Sequence, residues 1–260
     1  MTDAVPSSTK RWPASGDWTG WEDRWEARMR AFFPKRQESI AAMFAVMAEF
    51  LPPGPWRLLD LGAGSGSLTR ILLERFPEAT VVALDLDPVL MTIGRNTLGD
   101  GGGRLSWSQT DLRAPDWPAQ LQRDTDLPFD AVVSLATLHH FSARELAAIY
   151  RGLAGLVRPG GLVLNAEGLA AGPPGSRLAR QLDELRRRSS PPPDGWWEAI
   201  GADPAFDEAV AERERLRDRM RGAPRHSSAE GHCRALRRAG FAEAAVAWRY
   251  LDEALVVGLR

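Results

Sequence analysis

The sequence predicts an α/β protein with a mainly parallel sheet and helices wound over both of its faces. Three observations support this fold class. Apolar segments that suit strands alternate with segments that suit helices from residue 56 to residue 167. A glycine-rich turn joins the first strand to its helix, and two apolar segments close to residue 260 predict an antiparallel hairpin. Because parallel neighbours need crossover connections, the alternation predicts right-handed βαβ units.

The strands are predicted from short runs of apolar, often β-branched residues that end at turn signals. In chain order they cover residues 56–61, 80–85, 105–109, 129–135, 161–167, 244–250 and 254–259. The helices between them follow amphipathic spacing. Pro88 stands in the first turn of one of these helices, where proline is favoured. The predicted helices cover residues 67–76, 88–97, 143–156 and 229–239.

Two helices are predicted before the sheet. Trp18, Trp21, Trp25 and Met29 follow one another at helical spacing, which places them on one face of the first helix. That face can pack on the core, cover a ligand pocket as a lid, or do both. The second helix covers residues 35–50 and ends before the prolines that follow it.

The segment between the fifth strand and the last helix is too long for a plain connection, so we expect it to carry helices of its own. Trp196 and Trp197 are predicted in a loop, where one ring can cap a pocket while the other packs. The mixed charges of AERERLRDRMR indicate a solvated helix face. The predicted organisation is a tail and Trp-rich lid helix at 1–35, a ligand-binding core at 36–171, a helical insertion that covers substrate at 172–225, and a final helix with a strand pair at 226–260.

Composition argues against several function classes. The formal net charge is −1 over 260 residues, so no overall positive field attracts nucleic acid or an anionic membrane. Cys233 is the single cysteine, which rules out a disulfide within the chain and suits a reducing compartment. No run of residues is apolar and long enough to span a membrane. We expect a soluble cytoplasmic protein that acts on a small molecule, and a homodimer stays open.

The first strand ends at a turn in which glycine occupies every second position, at Gly62, Gly64 and Gly66. Bare backbone lets a ligand lie against the chain there, and the helix that follows offers free N–H groups. The spacing is not the G-x-G-x-x-G of a dinucleotide site, which makes a nicotinamide dehydrogenase a distant alternative. The turn also begins with a carboxylate, Asp60, which suits a positively charged ligand.

Two more carboxylates follow the next two strands. Asp85 closes the second strand, where a carboxylate can accept hydrogen bonds from ribose hydroxyls. Asp111 follows the third strand and can accept from the amino group of an adenine. Taken singly, each could equally be a helix cap or a turn residue. Because the carboxyl ends of parallel strands meet at one edge of a sheet, the three together predict a site for an adenosine that carries positive charge and no phosphate.

At these positions the sequence resembles the class I S-adenosylmethionine-dependent methyltransferases. The resemblance covers about residues 56–168 and 232–260 and includes LLDLGAGSGSLT, VVALDLDPVLM, SQTDL, FDAVVSLATLHHF and LAGLVRPGGLVLNAE. It implies a Rossmann-like sheet of seven strands with the last strand antiparallel, which agrees with the predicted hairpin. It also implies S-adenosylmethionine as cofactor and S-adenosylhomocysteine as product.

The resemblance assigns cofactor roles to individual positions. The turn is expected to hold the methionine part of the cofactor through Asp60, Gly62, Ala63, Gly64 and Gly66. The other residues are placed at the ribose (Asp85), the adenine (Leu86, Asp111, Leu112) and the sulfonium (Ser134). Asp87 departs from the family pattern, in which serine or asparagine is common, and adds a charge near the ribose.

Candidate catalytic residues follow the fourth and fifth strands. His139 and His140 lie at the mouth of the expected site, where one of them, with His140 preferred, could act as base for a hydroxyl acceptor. The same pair recurs as a structural element in such methyltransferases, so a structural role stays open. Glu167 ends the fifth strand and could face the acceptor. No metal is expected, because His226 and His232 lack further ligands.

We expect methyl transfer to oxygen or nitrogen of a small-molecule acceptor, as in secondary metabolism. An aromatic lid suits a flat or apolar acceptor, and its residues are Trp18, Trp21, Trp25, Trp196 and Trp197. An acidic acceptor could instead be held by Arg180, Arg186, Arg187 and Arg188. Two alternatives stay open. AFFPKRQESI and the HHF segment also resemble tRNA wobble-uridine modifying enzymes, and the chain could bind S-adenosylmethionine without transferring its methyl group.

Overall fold

The computed structural model describes residues 12–169, 176–189, 195–222 and 228–260. Its centre is a seven-stranded sheet in the order β3-β2-β1-β4-β5-β7-β6. The strands are β1 (Arg57–Leu61), β2 (Thr80–Asp85), β3 (Leu105–Gln109), β4 (Phe129–Leu135), β5 (Val157–Gly168), β6 (Glu243–Tyr250) and β7 (Glu253–Leu259). Strands β1 to β5 are parallel, and β7 runs antiparallel between β5 and β6. The predicted fold class is therefore confirmed.

Eleven α-helices surround the sheet within the described ranges. They are α1 (Trp18–Phe32), α2 (Arg36–Phe50), α3 (Ser67–Arg75), α4 (Pro88–Leu98), α5 (Trp117–Asp124), α6 (Ala143–Leu156), α7 (Arg177–Ser189), α8 (Trp196–Gly201), α9 (Asp207–Arg215), α10 (Arg217–Met220) and α11 (Ala229–Arg238). Within those ranges, no helix combines the length and apolar composition that crossing a membrane requires.

Side chains at alternating positions along the strands lie on opposite faces of the sheet and belong to two separate hydrophobic cores. Leu59 and Val132 pack with α5, α6 and α11 on one face of the sheet, whereas Leu58 and Ala131 pack with α2 and α3 on the other. This alternation follows from the period of two along a strand. A sheet buried on both faces explains why its strands are almost continuously apolar.

A third apolar cluster lies outside the sheet and joins the N-terminal helix to the insertion. It brings together α1, α4, α8 and α9 around Trp21, Trp196 and Phe206, each of which is at most 1% exposed. Trp21 and Trp196 meet edge to face at 6.1 Å, and the indole N–H of Trp21 donates to Asp203. We call α1 together with α8 and α9 the lid.

Three details differ from the prediction. Helix α5 lies in a stretch where no element was predicted, because its eight residues include a proline and are too few for a clear period. Strand β5 begins four residues earlier than predicted, directly after α6. Trp196 and Trp197 were predicted in a loop, which is wrong: they begin helix α8, after Gly195 in the left-handed conformation.

Candidate functional site

A cavity of about 610 Å³ opens along the carboxyl edge of the sheet. Its floor is made by the ends of β1 to β5 and the start of β7, and its roof by the lid with α7 and α10. The strand order reverses between β1 and β4, which is the topological switch point where open α/β sheets bind ligands. Its volume falls in the range of small-molecule and cofactor pockets.

The glycine turn after β1 forms one wall of the cavity. Gly62, Gly64 and Gly66 all have positive φ angles, of 80°, 57° and 81°. The N–H groups of Gly62 and Ala63 donate to the carbonyl of Leu84, so the turn is pinned to the end of β2. Gly62, Ala63 and Gly64 line the cavity. Gly66 is not part of the cavity wall. A side chain at this position would meet Leu98 and Trp107 at 2.8 Å, so this glycine serves helix packing.

Asp85 connects the end of β2 to the glycine turn. Its carboxylate accepts hydrogen bonds from the N–H groups of Gly64, Leu86 and Asp87 at 2.7–2.8 Å. Burial raises the pKa of Asp85 to about 6, although these hydrogen bonds act in the opposite direction. Asp111, at the end of β3, accepts from the N–H of Arg113 at 2.9 Å. Both carboxylates line the cavity, together with Leu86 and Leu112.

Asp60 and Ser134 lie behind the wall rather than on it. Asp60 is 1% exposed and accepts a hydrogen bond of 2.6 Å from the hydroxyl of Thr69. Burial raises its pKa to about 7, and the charge of Asp85 adds to the shift. The Ser134 hydroxyl donates to the carbonyl of Leu61 at 2.9 Å. Asp60 can therefore act on a ligand through its charge, whereas Ser134 braces neighbouring strands.

His139 and Glu167 form a pair at the floor of the cavity. The backbone N–H of His139 donates to Glu167 at 2.6 Å, and its ring Nδ1 lies 3.2 Å from the same carboxylate oxygen. His139 lines the cavity, and no partner of its Nε2 is found among the described residues. Burial opposes ionisation of Glu167, but hydrogen bonds from His139 and Asn165 and the nearby imidazole of His232 hold its pKa below the usual value.

The Glu167 carboxylate continues into a buried polar network. Asn165 donates to it at 2.7 Å, and the Nε2 of His232 lies 3.5 Å away. The other ring nitrogen of His232 is 2.6 Å from the hydroxyl of Tyr150. Burial lowers the pKa of His232, which favours the neutral imidazole. His226 lies outside the described residues, and no cluster of three metal-binding side chains is found among those described.

His140 is placed differently from its neighbour. It lines the cavity but is exposed, and its carbonyl accepts a hydrogen bond from Arg113 at 3.2 Å. The two imidazoles lie 4.0 Å apart, centre to centre. The sequence favours His140 as the base, whereas in the structure the buried carboxylate of Glu167 lies beside His139.

Two of the five lid tryptophans reach the cavity, Trp25 and Trp197. Trp21 and Trp196 are buried in the cluster behind them, and Trp18 packs edge to face on Phe206. Of the arginines considered for an acidic acceptor, Arg180 is exposed on α7. The side chains of Arg186, Arg187 and Arg188 lie outside the described ones.

Sequence reasoning missed the residues that join the lid to the cofactor side. Asp87 caps α4 by accepting from the N–H of Val89, and its second oxygen accepts from Arg213 of α9 at 2.8 Å. The Arg213 guanidinium also lies 3.7 Å above the ring of Trp197. Asp87 departs from the family pattern, and its contact with α9 gives that departure a structural reason.

Comparisons of the sequence point to one enzyme family. A family described as a methyltransferase domain matches residues 59–163. Trans-aconitate 2-methyltransferase from Streptomyces avermitilis is 36% identical over 157 residues, which are 58% of this chain and 53% of that protein. The enzyme of the same name from Streptomyces coelicolor is 32% identical over 163 residues, covering 62% of this chain and 48% of its own. The chain spans about half the length of these curated relatives.

Solved structures share the fold over most of the chain. An O-methyltransferase family protein from Burkholderia thailandensis has a TM-score of 0.58 at 20% identity and covers 94% of this chain and 60% of its own. Human N-acetylserotonin methyltransferase in complex with SAM has a TM-score of 0.53 at 15% identity and covers 98% of this chain and 60% of its own. These likenesses show the fold. The match of residues 59–163 to a methyltransferase domain agrees with the resemblance of the sequence to the class I S-adenosylmethionine-dependent methyltransferases.

Proposed function

We propose that the protein transfers the methyl group of S-adenosylmethionine to oxygen or nitrogen of a small-molecule acceptor. The observation that carries the proposal is the continuity of the cavity. It extends from two carboxylates at the ends of β2 and β3, past the glycine turn, to a histidine with a buried carboxylate partner and an aromatic lid. When bound, the cofactor supplies a methyl group on a positively charged sulfur.

The residues present fit such a cofactor. Gly62, Ala63 and Gly64 offer bare backbone on which an extended ligand can lie. Asp85 and Asp111 each keep acceptor capacity for hydroxyl and amino groups of an adenosine, because a carboxylate has about four lone-pair positions. Leu86 and Leu112 provide the apolar surface that an adenine ring requires. The negative charges along this wall suit a ligand with a sulfonium.

His139 is the residue we assign to proton transfer. Its Nδ1 faces Glu167, which favours the tautomer with the proton on that nitrogen and leaves Nε2 as the acceptor. A proton lost by the acceptor molecule can therefore move to Nε2, and the charge of Glu167 stabilises the imidazolium that results. General-base assistance of this kind contributes roughly 10²- to 10⁴-fold in rate.

The lid supplies orientation and keeps water out. Trp25 and Trp197 form the roof, and Phe33 and Phe141 are part of the cavity wall. Methyl transfer is an in-line displacement, and the exclusion of water and the orientation of the reacting atoms supply much of its rate acceleration.

The comparisons lend no support to tRNA modification or to cofactor binding without transfer. The balanced net charge also lacks the basic surface that tRNA binding needs. The organisation into a core with a substrate-covering insertion, a cytoplasmic location and a homodimer stay predictions.

The test is an assay of product formation. The purified protein is incubated with S-adenosylmethionine and the low-molecular-weight fraction of a cell extract, and S-adenosylhomocysteine is quantified. We expect it to form together with a metabolite heavier by one methylene group. Cofactor binding without product formation from any fraction would contradict the proposal and support the binding-protein alternative.

A further inference from the structure

The cavity has two halves that lie over different strands. The cofactor residues described above are at the ends of β1, β2 and β3. The other half lies over β4, β5 and β7. Because β7 is antiparallel, its first residue, Glu253, lies beside Gly168 at the end of β5 and so reaches the same edge of the sheet. If the cofactor occupies the first half, the acceptor is left with the half that contains Glu253.

Glu253 is a buried carboxylate with little to neutralise it. It is 8% exposed and lines the cavity. Within the described residues, its hydrogen bonding amounts to one long contact of 3.4 Å from the backbone N–H of Lys35. Burial raises its pKa to about 7, and the charges of Asp252 and Glu38 act in the same direction, whereas the backbone N–H and the charge of Lys35 oppose the shift. Its remaining lone pairs are available to a ligand.

The lysine and arginine side chains that the described residues place on the cavity wall are already engaged with acids. The Lys35 ammonium is 2.7 Å from Glu38. The three arginines each lie 2.8–3.1 Å from a carboxylate: Arg36 from Glu26, Arg113 from Glu145, and Arg213 from Asp87. An anionic acceptor would have to displace one of these partners and approach Glu253. A polycarboxylate such as trans-aconitate, the acceptor in the names of two relatives, is poorly suited to this chamber.

Much of the remaining acceptor half is apolar or aromatic, beside the polar groups of Thr137, His139, His140 and Asp252. Phe33, Leu135, Tyr250 and Leu251 line it below the tryptophans of the lid. The Tyr250 ring already faces a cation, because the Lys35 ammonium lies 5.3 Å from its centre. Aromatic faces attract cations that have lost part of their water. A molecule with an apolar body and a positive end would match both features.

We propose that the acceptor half binds an apolar or aromatic amine, with its nitrogen donating to the carboxylate of Glu253. A charge-assisted hydrogen bond in a buried site is strong, and it would also keep Glu253 ionised. The inference rests on the proposed function in one respect, because it takes this half of the cavity to be the binding site of the acceptor. It assigns the recognition of the acceptor and leaves open which of its atoms is methylated.

The test compares matched probes that differ in charge. 2-Phenylethylamine and 3-phenylpropanoate, and tryptamine and indole-3-propanoate, are titrated calorimetrically into the protein with and without saturating S-adenosylhomocysteine. We expect each amine to bind roughly 10- to 100-fold more tightly than its acid. Equal affinities, tighter binding of the acids, or no binding of either amine would overturn the proposal.

Variants then locate the preference. Glu253→Gln should remove most of the preference for amines while leaving the affinity for S-adenosylhomocysteine unchanged. Glu243→Gln is the matched control, since Glu243 is exposed at the other end of the hairpin and should change nothing. Retention of the amine preference in Glu253→Gln would refute the assignment to this residue. The comparison of probes in the unsubstituted protein remains decisive if that variant fails to fold.

The experiment separates this inference from the proposed function. Absence of S-adenosylhomocysteine binding would refute the methyltransferase proposal, whereas the probes titrated alone still report on Glu253. Binding of S-adenosylhomocysteine with no preference for amines would leave the methyltransferase proposal intact and refute the inference.

Discussion

Arg36 lies 3% exposed at the first turn of α2, between the lid and the helix that follows the glycine turn. Its guanidinium is 3.1 Å from Glu26 of α1 and donates to the hydroxyl of Ser67 at 2.7 Å. Glu26 is also buried, and its second carboxylate oxygen has no hydrogen-bond partner among the described residues. This buried cation therefore helps to hold α1 against the core.

Arg36→Met should destabilise the protein strongly, because it leaves Glu26 buried without its cation. Removing one member of a buried pair costs about 3–5 kcal/mol. In a chain of this size 1 kcal/mol shifts the unfolding midpoint by about 2–4 °C, so we expect Tm to fall by roughly 6–20 °C. Thermal and urea unfolding followed by circular dichroism measure the change.

The matched variants separate burial of charge from loss of packing. Arg36→Met combined with Glu26→Leu should recover much of the stability, because no charge is then left buried without a partner. Lys35→Met should change the midpoint little, since its ion pair with Glu38 is exposed. A small effect of Arg36→Met, or a double variant as unstable as the sum of both single variants, would refute this reasoning.

Four further predictions concern the site and the packing around it. The affinity for S-adenosylmethionine should rise from roughly pH 5 to pH 8, because a positive ligand favours ionised Asp60 and Asp85, whose pKa values burial raises to about 7 and about 6. The stability of the ligand-free protein should fall as the pH rises from roughly 4 to 7, because carboxyl groups with a raised pKa favour folding while they are protonated. Calorimetry across pH measures the affinity, and urea unfolding across pH measures the stability. Affinity and stability that change in the same direction with pH would contradict the assignment. Gly94→Ala should cost about 1–3 kcal/mol, because the new methyl group meets the Trp107 ring and the Ser65 carbonyl, whereas Gly155→Ala, which meets nothing, should be neutral or stabilising in urea unfolding. His139→Ala should lower turnover by roughly 10²- to 10⁴-fold with cofactor affinity retained, whereas His140→Ala should lower it far less; the reverse order would move the base to His140.

The sheet and the cofactor wall could be predicted because their signals are local. Strand periodicity, turn residues and the spacing of the glycines are written in neighbouring residues, so most core elements begin and end within two residues of the prediction. Carboxylates that follow parallel strands meet at one edge by topology alone, which brought Asp85 and Asp111 to the cavity.

The acceptor half could not be predicted in this way because it depends on contacts between distant segments. Arg213 and Asp87 form an ion pair although they are 126 positions apart in the sequence, and no local pattern indicates such a pair. Glu22 and Glu26 stand on the tryptophan helix, where charges suggest an exposed face, yet both are buried beside arginines from other helices. The sequence predicts the residues of the hairpin turn, Glu253 among them, as a connection, whereas the structure places them on the cavity wall.

The most direct test of the account is a calorimetric titration of S-adenosylmethionine into the protein and into Asp85→Ala. We expect one saturable site in the unsubstituted protein and an affinity lower by roughly 10- to 150-fold in the variant, which loses a partly buried carboxylate acceptor. No heat of binding, or equal affinities for the two proteins, would contradict the claim that the glycine turn and the strand-end carboxylates hold this cofactor.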